Sequence, residues 1–174
     1  MRVPLTIGDF LERAAHVYGD RVAVVDEPEV AGSLGRLTYE DLHHRARALA
    51  VGLDSMGVEV GERVGIVSPN SARFLASYFG ISGFGRVLVP INYRLTADEI
   101  GFIVEHSGAS VVLYDPELDG VISSSGNAKW VRLDGVDDAE LFDAEIGRTQ
   151  DPVGWAADED ATCSINYTSG TTSR

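Results

Sequence analysis

Apolar and polar positions along the chain change period several times. Ile7, Phe10, Leu11, Ala14 and Tyr18 recur at helical spacing. That predicts a helix from Thr6 to Tyr18, with Thr6 and Asp9 as an approximate capping box and Gly19 as its stop. RVAVVD (21–26) and the shorter GRLTY (35–39) read as strands. The clearest helix follows. Leu42, Ala46, Leu49, Leu53 and Met56 step by four, three, four and three, Thr38 with Asp41 caps the start, and Gly57 ends the run. His43, Arg45, Arg47 and Asp54 lie largely off that stripe.

From residue 63 the pattern alternates between strand and helix. RVGIVS (63–68) is a strand, and Asn70 is expected to open a helix carrying Phe74, Leu75, Tyr78 and Phe79. Gly80, Gly83 and Gly85 weaken its end. An interior glycine costs about 1 kcal/mol relative to alanine, so close approach to a neighbouring backbone is the expected compensation. VLVPI (87–91) is continuously apolar, as a strand covered on both faces must be. Thr96 with Glu99 caps a helix carrying Ile100, Ile103 and Val104 and ending near Gly108, and SVVLYD (110–115) is the next strand. Strand, helix, strand, helix, strand with long connections is α/β architecture, a largely parallel sheet flanked by helices. The expected organisation is one unit: core βα elements over 1–115, an acidic irregular segment over 116–160, and a strand with a polar loop over 161–174. Within the middle segment SSSGN (123–127) reads as a loop and KWVRL (129–133) as a strand. ATCSINY (161–167) reads as the last strand.

The 174 residues are enough for one domain with a real core, and 44% hydrophobic with 24% charged residues is ordinary globular composition. The net charge of −13 argues against a sequence-independent nucleic-acid or anionic-membrane binder. Residues 115–160 hold thirteen acids against Lys129, Arg132 and Arg148, so −10 of the −13 lies there, a pattern read as a solvated surface segment. Cys163 is the one cysteine, so no internal disulfide forms, and its place in a strand marks it as a small core residue rather than a nucleophile. His16, His43, His44 and His106 show no metal spacing and read as surface or helix-end residues. No apolar run has the length of a transmembrane segment and MRVPLTIGDF lacks a signal-peptide core, so a cytoplasmic protein is expected.

Candidate chemistry lies at the end of the chain. After ATCSINY come Thr168, Ser169, Gly170, Thr171 and Thr172. This run is either a polar tail after a strand or an anion-binding nest. In a nest, successive backbone N–H groups turn inward, hydroxyls add donors, and Gly170 permits the positive φ the curl needs. A P-loop would require Lys-Ser/Thr after a glycine-rich loop, and that pattern is missing.

YTSGTT after an apolar strand resembles the phosphate-binding loop of adenylate-forming enzymes, which include acyl-CoA synthetases, aryl-CoA ligases, luciferases and peptide-synthetase adenylation domains. Two other stretches are similar to that family in order and spacing: LTYEDLHHRARALAVGLDSMGVEVGERVGIVSPNS (37–71) and GFGRVLVPINYRLTADEI (83–100). Asn92-Tyr93-Arg94-Leu95 and Thr171-Thr172 resemble the acid–CoA ligase, or fatty-acid–CoA ligase, form. Taken as residues, Asn92–Leu95 is mainly a strand-exit loop that places Thr96 to cap a helix.

The resemblance implies the N-terminal part of the large domain of such an enzyme. It also implies a parent that activates a fatty or aryl carboxylic acid with ATP, Mg²⁺ and coenzyme A, through an acyl-adenylate. Thr168, Ser169, Gly170, Thr171 and Thr172 are the implied β- and γ-phosphate ligands, with no catalytic or metal residue in this chain. Departures are also visible. Ser173 stands where the family has Gly, Arg174 is last so that the Lys that would follow is absent, and Arg86 replaces a small residue, so that it either snorkels outward or alters local packing. The expectation is therefore a fragment cut within its phosphate loop, inactive alone and binding no cofactor. The alternative is a non-catalytic, self-associating α/β interaction module, a homodimer of the fragment.

Overall fold

The computed structural model describes residues 4–30, 32–122 and 127–168. The elements run α1 (Ile7–Tyr18), β1 (Val22–Val25), β2 (Arg36–Thr38), α2 (Tyr39–Ser55), β3 (Arg63–Val67), α3 (Ala72–Ser82), β4 (Val87–Ile91), α4 (Ala97–Ser107), β5 (Val111–Tyr114), β6 (Lys129–Arg132) and α5 (Ala144–Thr149), with single 3-10 turns at Pro116–Leu118 and Glu140–Phe142. β1 and β2 form an antiparallel hairpin, and the other four strands form a parallel sheet in the order β4-β3-β5-β6.

The capping pairs read from the sequence are in place. The Asp9, Asp41 and Glu99 carboxylates each accept the backbone N–H and hydroxyl of the threonine three residues earlier. These bonds hold Glu99 below the usual carboxylate range. α3 is the exception, since its cap is Ser71 rather than Asn70, with the Ser71 hydroxyl accepting from the Phe74 N–H at 3.1 Å.

Because the chain adds β4 on one side of β3 and β5 on the other, right-handed crossovers must place α3 and α4 on opposite faces. The side chains agree. Val64, Ile66, Leu88, Val111, Leu113 and Val131 pack with α1, α2 and α3, whereas Val67, Val89, Ile91 and Val112 pack with Ile100, Ile103 and Val104 of α4. The close approach expected of the α3 glycines is also present. A Cβ on Gly80 would lie 2.6 Å from the Ala46 oxygen of α2, and one on Gly83 would lie 3.0 Å from the Gly8 Cα of α1.

α2 departs from the one-stripe expectation. Besides Leu42, Ala46, Leu49 and Leu53, it buries Ala48, Ala50 and Val51. Its outer side is covered by the acidic segment, in which the sequence showed only β6. The segment also contains α5, and Gly147 there sits so close that a Cβ would run into the His44 carbonyl oxygen. Arg45 donates to the Phe142 carbonyl, and Arg47 to those of Gly147 (2.8 Å) and Gln150 (3.2 Å) and to the Asp151 carboxylate (2.7 Å). These guanidinium groups satisfy the carbonyls that a helix end leaves open.

The segment is therefore more than a solvated run. Asp138 is 0% exposed, and it accepts from Arg73 Nε at 2.5 Å and from the Gly135 N–H at 2.6 Å. Arg86 resolves inward. It is 3% exposed, donates to the Val58 carbonyl at 2.7 and 3.0 Å, and pairs with Asp54, whose second oxygen accepts the Val153 N–H. His43 and His44 lie in the second turn of α2 and are half-buried, not at a surface or helix end. Burial, with the neighbouring His44 and the Arg47 charge, pushes the His43 imidazole down to about 4.

Thr38→Ala is expected to cost about 1 kcal/mol in urea unfolding, whereas Asp138→Ala, which strands the Arg73 charge, costs roughly 3–5 kcal/mol. His43 gives a pH signature. Its folded pKa lies below the unfolded value of 6.5, so the unfolded chain binds more protons between about pH 6.5 and 4. This contribution is complete above pH 6.5 and is lost as the pH falls toward 4. Thermal melts across that window check it, and His43→Asn should flatten that part of the profile.

Candidate phosphate-binding site

The segment leading to the hydroxyl run lies beside β4. The Leu88 N–H donates to the Cys163 carbonyl at 3.0 Å and the Ile165 N–H to the Leu88 carbonyl at 2.9 Å, which makes one parallel bridge, Leu88 to Ser164. The regular strand expected over 161–167 is not formed. The free edge of β4 explains why. The next donor toward this neighbour would be residue 90, and Pro90 has no N–H. The donor before it is already used, because the Arg86 N–H bonds to the Ile81 carbonyl at 3.1 Å. Pairing is confined to Leu88 from both sides.

Cys163 is exposed and is not a core residue. Its main chain does the structural work instead, since its carbonyl also accepts the Ser82 hydroxyl at 2.8 Å. Past the bridge, Ile165 and Tyr167 pack against the cluster under α4. The Tyr167 hydroxyl lies 2.7 Å from His106 Nδ1, at the last turn of α4. Thr168 follows and is exposed. Ser169, Gly170, Thr171 and Thr172 lie outside the described residues, as do residues 123–126 of the expected SSSGN loop.

The carboxyl ends of the parallel strands form a second feature. Between β3 and β5, where the connections leave toward opposite faces, lies a crevice of about 310 Å³ whose lining includes Ser68, Asn70, Ser71, Tyr93 and Asp115. Open parallel sheets place ligands at such a point. No single sequence motif marks it, because its residues come from separate loops and only the strand order brings them together. Asn92–Leu95 behaves as the expected exit loop. The Asn92 side chain accepts the Arg94 N–H at 3.0 Å, its carbonyl accepts the Leu95 N–H at 3.2 Å, and Tyr93 and Leu95 pack toward α4. Among the described residues no helix is long and apolar enough to cross a membrane.

Over most of its length the chain is similar to known proteins. A long-chain-fatty-acid–CoA ligase of Thermus thermophilus is 38% identical over 97% of this chain and 32% of its own length. A feruloyl-CoA synthase of an Amycolatopsis species is 36% identical over 79% of the chain and 27% of its own length. Among solved structures, the N-terminal domain of FACL13 from Mycobacterium tuberculosis aligns with a TM-score of 0.74 at 30% identity, over 95% of this chain and 42% of that one. The anthranilate CoA ligase AuaEII, solved with anthranoyl-AMP, aligns with a TM-score of 0.81 at 25% identity, over 98% and 32%. The chain thus spans about a third of the length of these curated relatives. The family described as AMP-binding enzyme matches residues 11–174, nearly the whole sequence, and to that family the chain belongs.

Proposed function

We propose that this chain is the N-terminal part of an ATP-dependent acid–CoA ligase, in which Thr168, Ser169, Gly170, Thr171 and Thr172 hold the β- and γ-phosphates of ATP. The observation that carries this reading is the family match, which runs through the hydroxyl run itself. In such a ligase a carboxylate oxygen attacks the α-phosphorus of ATP and pyrophosphate leaves. The thiol of coenzyme A then displaces AMP from the acyl-adenylate. Fixed N–H and hydroxyl dipoles suit a leaving group of high charge because they need no reorganisation as the bond breaks. Thr168 supports the reading as an exposed residue at the start of the run. The relatives named as fatty-acid and feruloyl ligases support a fatty or aryl acid as substrate. Mg²⁺ is the proposed counter-ion of the phosphates, and the cytoplasm the proposed compartment.

The same reading makes the 174-residue chain inert alone. Positioning a carboxylate against the α-phosphate is worth roughly 7–11 kcal/mol of barrier, and phosphate ligands by themselves do not supply it. ATP–pyrophosphate exchange with fatty and aryl acids tests both parts. The chain alone is expected to be silent. A ligase that carries these residues as its N-terminal third is expected to exchange, and Thr171→Ala with Thr172→Ala should lower its kcat/KM by roughly 100-fold. Exchange by the chain alone would refute its inertness, and an undiminished double variant would refute the phosphate assignment.

A further inference from the structure

We propose that His106 is a positioning residue for Thr168, the first residue of the hydroxyl run, because its bond to the Tyr167 hydroxyl holds the residue that precedes it. The functional part of this proposal rests on the ligase reading above.

The argument starts from how little else holds the approach to Thr168. Pro90 and the occupied Arg86 N–H limit backbone pairing to Leu88, so the ladder ends at Ile165. The Asn166 side chain bonds only locally, to the Ser164 hydroxyl at 3.1 Å. Among the described residues, the Tyr167–His106 contact is then the one hydrogen bond that ties residues 166–168 to another element. A short polar segment without ladder pairing depends on such a contact for its placement.

The geometry of the tie is specific. The two rings meet edge to face, with centroids 5.8 Å apart and planes at 82°. The His106 ring also stacks on Phe102, one turn earlier on α4, at 5.5 Å and 26°. Phe102 therefore orients the imidazole, and the imidazole orients Tyr167. An edge-to-face pair adds to a hydrogen bond and limits ring rotation. Either protonation state of His106 keeps the bond, since a neutral Nδ1 accepts from the phenol and a protonated one donates to it. α4 is itself fixed at this end. Arg63 of β3 donates to the Ser107 carbonyl at 2.9 Å and the Gly108 carbonyl at 3.0 Å. The tie thus runs from a sheet strand through a helix end to the residue before Thr168.

Amide hydrogen exchange on the 174-residue chain tests the tie without any reference to catalysis. His106→Ala and Tyr167→Phe are each expected to speed exchange at Ile165–Thr168 by about two- to tenfold, the range of one net hydrogen bond. The double variant should add nothing further, His106→Gln should recover part of the loss, and β5 amides should stay unchanged. Unchanged exchange at Ile165–Thr168, additive effects, or equal acceleration in β5 would overturn the tie. In the ligase of the preceding proposal, His106→Ala is expected to raise KM for ATP by a similar factor with kcat nearly constant. An unchanged KM would overturn the positioning role. Absence of ATP–pyrophosphate exchange in the unsubstituted ligase is a failure of the ligase reading, seen before any substitution is compared, and it overturns the effect on ATP with it.

Discussion

Burial of α2 on two opposite sides is the constraint from which most of the structure follows. A helix pressed against a parallel sheet has no place for charge on its inner side. Here the outer side is also covered, so Arg45, Arg47 and Asp54 take their partners from the segment that covers it, residues 142–153, and, for Asp54, from Arg86. The acidic segment is thereby fixed across the back of the helix. It returns the chain to β4, where Trp155 lies over Gly85 and residues 163–165 reach Leu88. What leads to the hydroxyl run thus depends on hydrogen bonds made on the far side of the sheet.

A buried charge tends to specify a contact more than it strengthens the fold. Arg73 joins the first turn of α3 to Asp138, with the Phe142 ring 5.6 Å from its guanidinium carbon. Gly32, in the loop between β1 and β2, passes close enough that a Cβ would lie 3.1 Å from Arg73 Nη1. One side chain therefore sets the relative placement of three stretches that carry no regular pairing with one another. Apolar residues of the same volume would bury as well but would not select one register for the 133–138 loop.

Much of this was legible in the sequence, and the misses have physical causes. The five strands from RVAVVD to SVVLYD and the helices between them follow from local periodicity, with threonine caps for α2 and α4, and both signals act within one element. α5 was not legible because it is a six-residue helix whose stability comes from packing on α2, not from its own pattern. The inward path of Arg86 is not legible from β4 alone, because it depends on Asp54 and Val58, which only the fold brings near. Cys163 is exposed despite the strand composition of 161–167, because the number of rungs that stretch can form is set by its neighbour β4. For the candidate site, the hydroxyl run is plain in the sequence. The switch-point crevice and the His106–Tyr167 tie are not, since they join residues brought together only by strand order and by the return of the chain.

Pro90 also bears on how this molecule meets its copies. β4 is the outer strand of its sheet, and an outer parallel strand with free donors at every second residue is a template on which another chain can crystallise into cross-β structure. With the Arg86 and Leu88 donors engaged and none at Pro90, the exposed margin of β4 offers an incoming strand no consecutive pair of donors. The residue that shortens the approach to the hydroxyl run also makes this side of the sheet a poor seed for aggregation.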